Sequence, residues 1–186
     1  MALAAEKQAD ALYASLLNTN PAHPNGWPIR VIVASQTEAR HNRSLWAPTH
    51  LISIRAPGTK LLSMIDLPED RHLELIFSDS ADPDEPGVAS PEAIAASFAF
   101  IDTLPEDARL LIHCLRGMGR STALTLGILS RYMDPEDAAA CLHALRPEAK
   151  PNRHVTGLCD AALGLKGRLA KQALRFPAKV WKPAKR

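Results

Sequence analysis

Short apolar runs alternate along the chain with longer stretches of helical spacing. Residues 29–34, 51–54, 72–77 and 109–113 read as strands. The last is unbroken and apolar, the form of a parallel strand buried on both faces. Ser35-x-x-Glu38 is a capping box that opens a short helix. Ser90-Pro91-Glu92 and Asp134-Pro135-Glu136-Asp137 each start a helix with proline in its first turn, the former reaching about Thr103. Residues 121–129 begin with a capping residue, Ser121, and repeat apolar side chains at helical spacing. Residues 3–17 form an amphipathic helical pattern with Leu12, Tyr13 and Leu16 on its apolar side. Residues 18–28, rich in Pro, Asn and Gly, read as a linker or turn. Strands separated by helices predict one α/β domain with a central, mostly parallel sheet flanked by helices. The expected division is an N-terminal helix and linker over 1–28, the main α/β domain over 29–176, and a basic tail over 177–186.

Composition narrows the picture without changing it. With 186 residues, 46% of them hydrophobic, the chain can build one sizeable core but hardly two. A net charge of +2 implies no general affinity for nucleic acid. Cys114, Cys141 and Cys159 form an odd, sparse set without metal-ligand spacing, which suits a reducing, cytoplasmic location and implies neither metal nor cofactor. Cys141 and Cys159 lie in helical patterns and read as core, although either could instead trap an oxidised Cys114 as a disulfide. The sequence shows no signal-peptide pattern and no apolar run of membrane-spanning length, so no membrane insertion is expected. Arg40, His41 and Arg43 read as a solvated helix face. Arg175, Lys179, Lys182, Lys185 and Arg186 carry no evident compensating acid.

The chemistry is concentrated in residues 112–121, Ile-His-Cys-Leu-Arg-Gly-Met-Gly-Arg-Ser. Cys114 ends an apolar strand, Arg120 follows six positions later, and Ser121 comes next. Gly117 and Gly119 loosen the turn before a helix begins. A strand, a glycine-bearing turn and a helix N-terminus aim backbone N–H groups and the positive end of a dipole at one small volume, which suits a tetrahedral oxyanion. Such surroundings also favour a thiolate over the ordinary thiol, whose pKa is about 8.5. A planar guanidinium at Arg120 can hold two phosphate oxygens at once, as a lysine cannot. Ser121 is placed to donate to the sulfur. His113 would fix the loop through backbone hydrogen bonds and add positive charge.

These residues resemble the His-Cys-x5-Arg-Ser/Thr signature of cysteine-dependent tyrosine and dual-specificity phosphatases. Arg146-Pro147-Glu148-Ala149-Lys150-Pro151-Asn152 is similar to the Arg-Pro-x3-Pro-Asn segment of the dual-specificity enzymes, and the layout over 31–176 resembles small bacterial members, including the stretch Leu163-Gly164-Leu165-Lys166-Gly167-Arg168. The resemblance implies hydrolysis of phosphomonoesters through a cysteinyl-phosphate. Cys114 would be nucleophile and Arg120 the clamp. Leu115, Arg116, Gly117, Met118, Gly119 and Ser121 would line the substrate loop, with His113 and Asn152 in support. Asn152 would brace the loop from behind or simply cap a helix. Arg116 would face outward toward acidic substrate or be merely solvated.

The resemblance also implies a general acid on a loop after an upstream strand. Residues 78–87 supply Asp79, Asp82, Asp84 and Glu85. Asp79 follows the strand at once and is preferred; Asp82 is the alternative. The expected substrate is a protein phosphorylated on tyrosine or on serine and threonine. Small-molecule or lipid phosphoesters, or phospho-binding without turnover, are the alternatives. Leu115 and Met118 stand where similar inositide phosphatases carry basic residues, which argues against a heavily phosphorylated ring. Oligomeric state is not legible.

Overall fold

The computed structural model describes residues 29–60 and 66–176 of the 186-residue chain. The expected helix over 3–17, the linker over 18–28 and the basic residues from Lys179 onward lie outside the described residues. In chain order the elements are β1 (Val31–Ser35), α1 (Gln36–Trp46), β2 (His50–Arg55), a 3-10 turn (Glu69–Arg71), β3 (His72–Ile76), α2 (Pro91–Asp102), β4 (Leu110–Cys114), α3 (Arg120–Leu129), α4 (Pro135–Leu145), α5 (Arg153–Ala162) and α6 (Arg168–Ala173). The four strands form a fully parallel sheet in the order β1-β4-β2-β3. This is the α/β architecture that the alternating pattern predicts, and it forms a single domain.

Register assigns the two faces of the sheet. Because side chains alternate along a strand, Leu110, Ile112 and Cys114 of β4 join Val31, Val33, Ile52 and Ile54 in the main core. Leu111 turns the other way, with Ala34, Leu51 and Ala39 of α1. The main core is completed by α2–α6, and α3 is buried along its whole length. Burial on all sides is why residues 121–129 are apolar beyond a single stripe. Gly127 makes one close approach possible, since a Cβ there would stand 2.5 Å from Cys159 Sγ of α5.

The caps follow the sequence. Ser35 Oγ accepts from Glu38 N at 3.2 Å while Glu38 Oε2 accepts from Ser35 N at 2.7 Å, closing the capping box. Ser90 and Asp134 cap α2 and α4, each with proline in the first turn. Asp160 accepts from Gly167 N, Leu169 N and Ala170 N, stitching the start of α6 to α5. One expectation fails here: Arg175 is compensated, by an ion pair from Nη1 to Glu136 Oε1 at 3.1 Å. The acid is 39 residues away in sequence, and only the contact between α4 and α6 brings the two together. No helix among the described residues is long and apolar enough to cross a membrane.

Candidate functional site

Cys114 is the last residue of β4, one position beyond the strand expected from the pattern, and is 1% exposed at the carboxyl end of the sheet. Parallel α/β sheets bind ligands in that location. Its Sγ lies 3.2 Å from Ser121 Oγ and accepts from Gly117 N at 3.3 Å. Ser121 is not the cap of α3, contrary to the sequence reading. Gly119 holds that position without a side-chain cap, and Ser121 lies inside the first turn. Its hydroxyl approaches the sulfur instead of a backbone N–H. Gly117 has φ +67°, and a Cβ there would stand 2.4 Å from Ser35 N, so β1 and the loop can approach only at a glycine.

Four carbonyls on the outward side of the loop are engaged. Leu115 O accepts from Gln36 N at 3.3 Å, Met118 O from Lys150 N at 2.8 Å and Gly119 O from Asn152 N at 3.2 Å. Gly117 O accepts from Arg146 Nε at 3.1 Å. In a planar trans peptide the C=O and N–H point in opposite directions. Tethering these four carbonyls therefore turns the N–H groups of Arg116, Met118, Gly119 and Arg120 the other way. A row of donors at a helix N-terminus is suited to an oxyanion. The segment 146–152 is thus the back wall of the loop, a role that the sequence reading assigns only to Asn152.

Arg120 is buried, 4% exposed, and donates from Nη1 to Phe77 O at 2.9 Å. Its Nε has no hydrogen-bond partner among the described residues, and Asp79 Oδ2 stands 3.8 Å away, an ion pair without a hydrogen bond. Asp79 lies against the loop: a Cβ on Gly119 would be 2.7 Å from its Oδ1. Asn152 does two things at once. Its Oδ1 accepts from Val155 N at 3.0 Å, capping α5, and its Nδ2 donates to Asp79 Oδ1 at 3.2 Å and Ser80 O at 2.9 Å. Asn152 thus caps α5, and the same side chain holds the loop that carries Asp79. Asp82 is exposed and spends Oδ1 on Asp84 N at 3.1 Å within its own turn. Asp84 and Glu85 are exposed as well.

His113 carries no charge at neutral pH, which corrects the expectation that it adds to the positive surroundings. It faces away from Cys114 by strand alternation. Its Nε2 lies 2.8 Å from Ser53 Oγ, which is also 2.9 Å from His72 Nε2. Burial, with His72 nearby, pushes its pKa down to about 4. Leu115 and Arg116 are exposed at the rim, while Met118 is half-buried. All three cysteines are free. Burial, with Asp160 adjacent, pushes Cys159 up to about 12, and burial, with Asp137 near, pushes Cys141 up to about 11. Among the described residues no group of three or more His, Cys, Asp and Glu is placed to hold a metal ion.

Solved structures similar to this arrangement of strands and helices include tyrosine and dual-specificity phosphatases. The fold resembles that of DUSP15 (TM-score 0.56, 18% identity, 84% of this chain and 94% of that one). It also resembles the PTP-2 phosphatase of Cydia pomonella (TM-score 0.56, 19% identity, 71% and 84%). A third likeness is the human tyrosine phosphatase-like serine/threonine/tyrosine-interacting protein (TM-score 0.55, 19% identity, 79% and 96%). The chain therefore has a dual-specificity-phosphatase-like fold. No protein-family model matches the sequence, and no curated protein matches it either.

Proposed function

We propose that residues 29–176 form a cysteine-dependent phosphatase acting on phosphorylated proteins, on tyrosine or on serine and threonine. The observation that carries this reading is the buried Arg120 beside the Cys114 loop, with its Nε lacking a partner. A buried guanidinium N–H without an acceptor is costly, and a bound phosphoryl oxygen would supply one. The donors turned inward along the loop would take the remaining oxygens.

In the proposed reaction the Cys114 thiolate attacks phosphorus in line. The bond to the leaving oxygen breaks as the sulfur–phosphorus bond forms, and Asp79 gives its proton to that oxygen. Water then attacks the cysteinyl-phosphate and loses a proton to the Asp79 carboxylate. The sulfur leaves with its electron pair, eased by a hydrogen bond from Ser121. Asp79 is preferred to Asp82 because its carboxylate lies against Gly119 and is held by Asn152, whereas Asp82 is committed to its own turn. Leu115, Arg116 and Met118 would meet the parts of the substrate beyond the phosphoryl group.

The test is turnover of an aryl phosphate and of phosphotyrosyl, phosphoseryl and phosphoinositide compounds, with Cys114→Ser as control. Loss of turnover in Cys114→Ser with retained phosphate-ester binding is expected. Unchanged turnover refutes the nucleophile. Wild-type binding without turnover would mean a phospho-binding module, and preference for the phosphoinositide would move the substrate class to lipids.

A further inference from the structure

The back wall of the loop contains a charged assembly that the proposed reaction does not use. Arg146 follows the last turn of α4, its backbone drawn into an extended conformation (φ −148°, ψ 82°) ahead of Pro147. Its side chain, 13% exposed, reaches into the seam between the Cys114 loop and the β1–α1 junction. Nε donates to Gly117 O at 3.1 Å, Nη1 donates to Glu38 Oε1 at 2.9 Å, and Glu148 Oε1 stands 3.0 Å from Nε. Glu38 is the capping-box residue of α1, so the same carboxylate closes that box through Oε2 on Ser35 N. Ser35 N is also the atom against which Gly117 is pressed.

We infer that Arg146, held in place by Glu38, is a positioning residue for oxyanion binding in the Cys114 loop, acting through the Gly117–Met118 peptide. This rests on the phosphatase reading above. The physical chain is short. The guanidinium holds the Gly117 carbonyl outward, and peptide planarity then holds the Met118 N–H inward. Of the four tethered carbonyls, Gly117 O is the one held by a side chain with no backbone donor beside it among the described residues. Backbone N–H groups hold the other three, with the Thr122 hydroxyl also donating to Met118 O and Gly119 O. Its donor can therefore be removed by one substitution while the backbone frame stays.

Glu38 fits the same role. An exposed ion pair by itself contributes little to stability, and the capping box needs only a side-chain acceptor, which Gln also provides. What a carboxylate adds at residue 38 is the charge facing Arg146. Burial raises its pKa, but hydrogen bonds from Arg146 and Ser35 outweigh that and hold it below the ordinary value, so it is charged at neutral pH.

The experiment measures binding of inorganic tungstate by calorimetry, which needs no turnover, together with urea unfolding. Arg146→Met is expected to weaken tungstate about tenfold, the loss of one hydrogen bond made by a charged group, with Arg146→Lys recovering part of it. Glu38→Gln, which keeps the cap, is expected to weaken tungstate in the wild-type background and to do nothing further in Arg146→Met. Tungstate affinity of Arg146→Met equal to wild type overturns the inference while leaving the phosphatase reading intact. Losses that are additive, or that only follow the urea midpoint, overturn it as well. Failure of the wild-type protein to bind tungstate sinks both.

Discussion

Asn152 donates from Nδ2 to the Asp79 carboxylate at 3.2 Å across 73 residues of sequence, while its Oδ1 caps α5. One side chain thus anchors a helix and a loop acid together. Removing it should cost about 1 kcal/mol of stability through the lost cap. It should also slow turnover where the leaving group needs a proton. For Asn152→Ala, kcat is expected to fall about tenfold on a poor leaving group and much less on an activated aryl phosphate. Equal losses on both substrates would show that Asn152 does not act through the acid.

The two candidate acids separate in the pH profile. Asp79→Asn is expected to flatten the basic limb of kcat for alkyl-like phosphoesters, because no proton then remains to be lost. Asp82→Asn should leave the profile unchanged. The reverse result would move the acid to the turn at Asp82.

Arg120→Lys keeps the charge and loses the planar fork. The burial of Arg120 and its bond to Phe77 O leave a lysine no way to satisfy the same partners. Activity is expected to drop about a hundredfold or more, as when a transition-state donor is removed. Near-normal kinetics would refute bidentate clamping.

Stability should depend on pH through His113. Its folded pKa, about 4, lies below the ordinary 6.5. Between those values the unfolded chain binds the extra proton and the native state does not, so stability falls as pH drops from about 6.5 to about 4. The contribution is fully present above 6.5 and is worth about 3 kcal/mol. Urea unfolding of the wild type at pH 7 and pH 5, beside His113→Asn, checks this. A slope that persists unchanged in the variant would assign it to other groups, such as His72, also depressed by burial.

Gly127→Ala probes the core alone. The added methyl would press on Cys159 Sγ and Cβ, at 2.5 and 2.7 Å. A destabilisation of about 1–3 kcal/mol is expected from overpacking, read as a lower melting temperature with the Cys114 loop still reactive. An unchanged melting temperature would mean that α3 and α5 do not meet there.

Much of this molecule is written locally. The capping box at Ser35 and Glu38, the proline starts at Pro91 and Pro135, the four strands, and the cysteine, glycines and arginine of residues 114–120 depend on neighbours within a few positions, so spacing reveals them. The sequence reading went astray where local signals competed. Ser121 is a good capping residue by type, but the glycine turn enters the helix at Arg120 and the hydroxyl goes to sulfur. A histidine beside a cysteine suggests charge, but strand alternation sends His113 to the opposite face, where burial and the nearby His72 keep it neutral.

Other relationships exist only in three dimensions. Strands buried on both faces carry no alternation in their composition, so only sheet register decides that Cys114 faces the main core and Leu111 the other side. Position after the strand already favours Asp79 among the four acids of its loop, but the approach of Gly119 and Asn152 to its carboxylate exists only in the folded chain. Arg146, 108 residues from Glu38 and 29 from Gly117, acquires its partners only when α4 packs home. The sequence by itself determined the α/β class and the Cys114–Arg120 loop, because short-range spacing carries both. Tertiary structure decided which groups surround that loop, because those contacts join residues whose separation along the chain leaves no pattern to read.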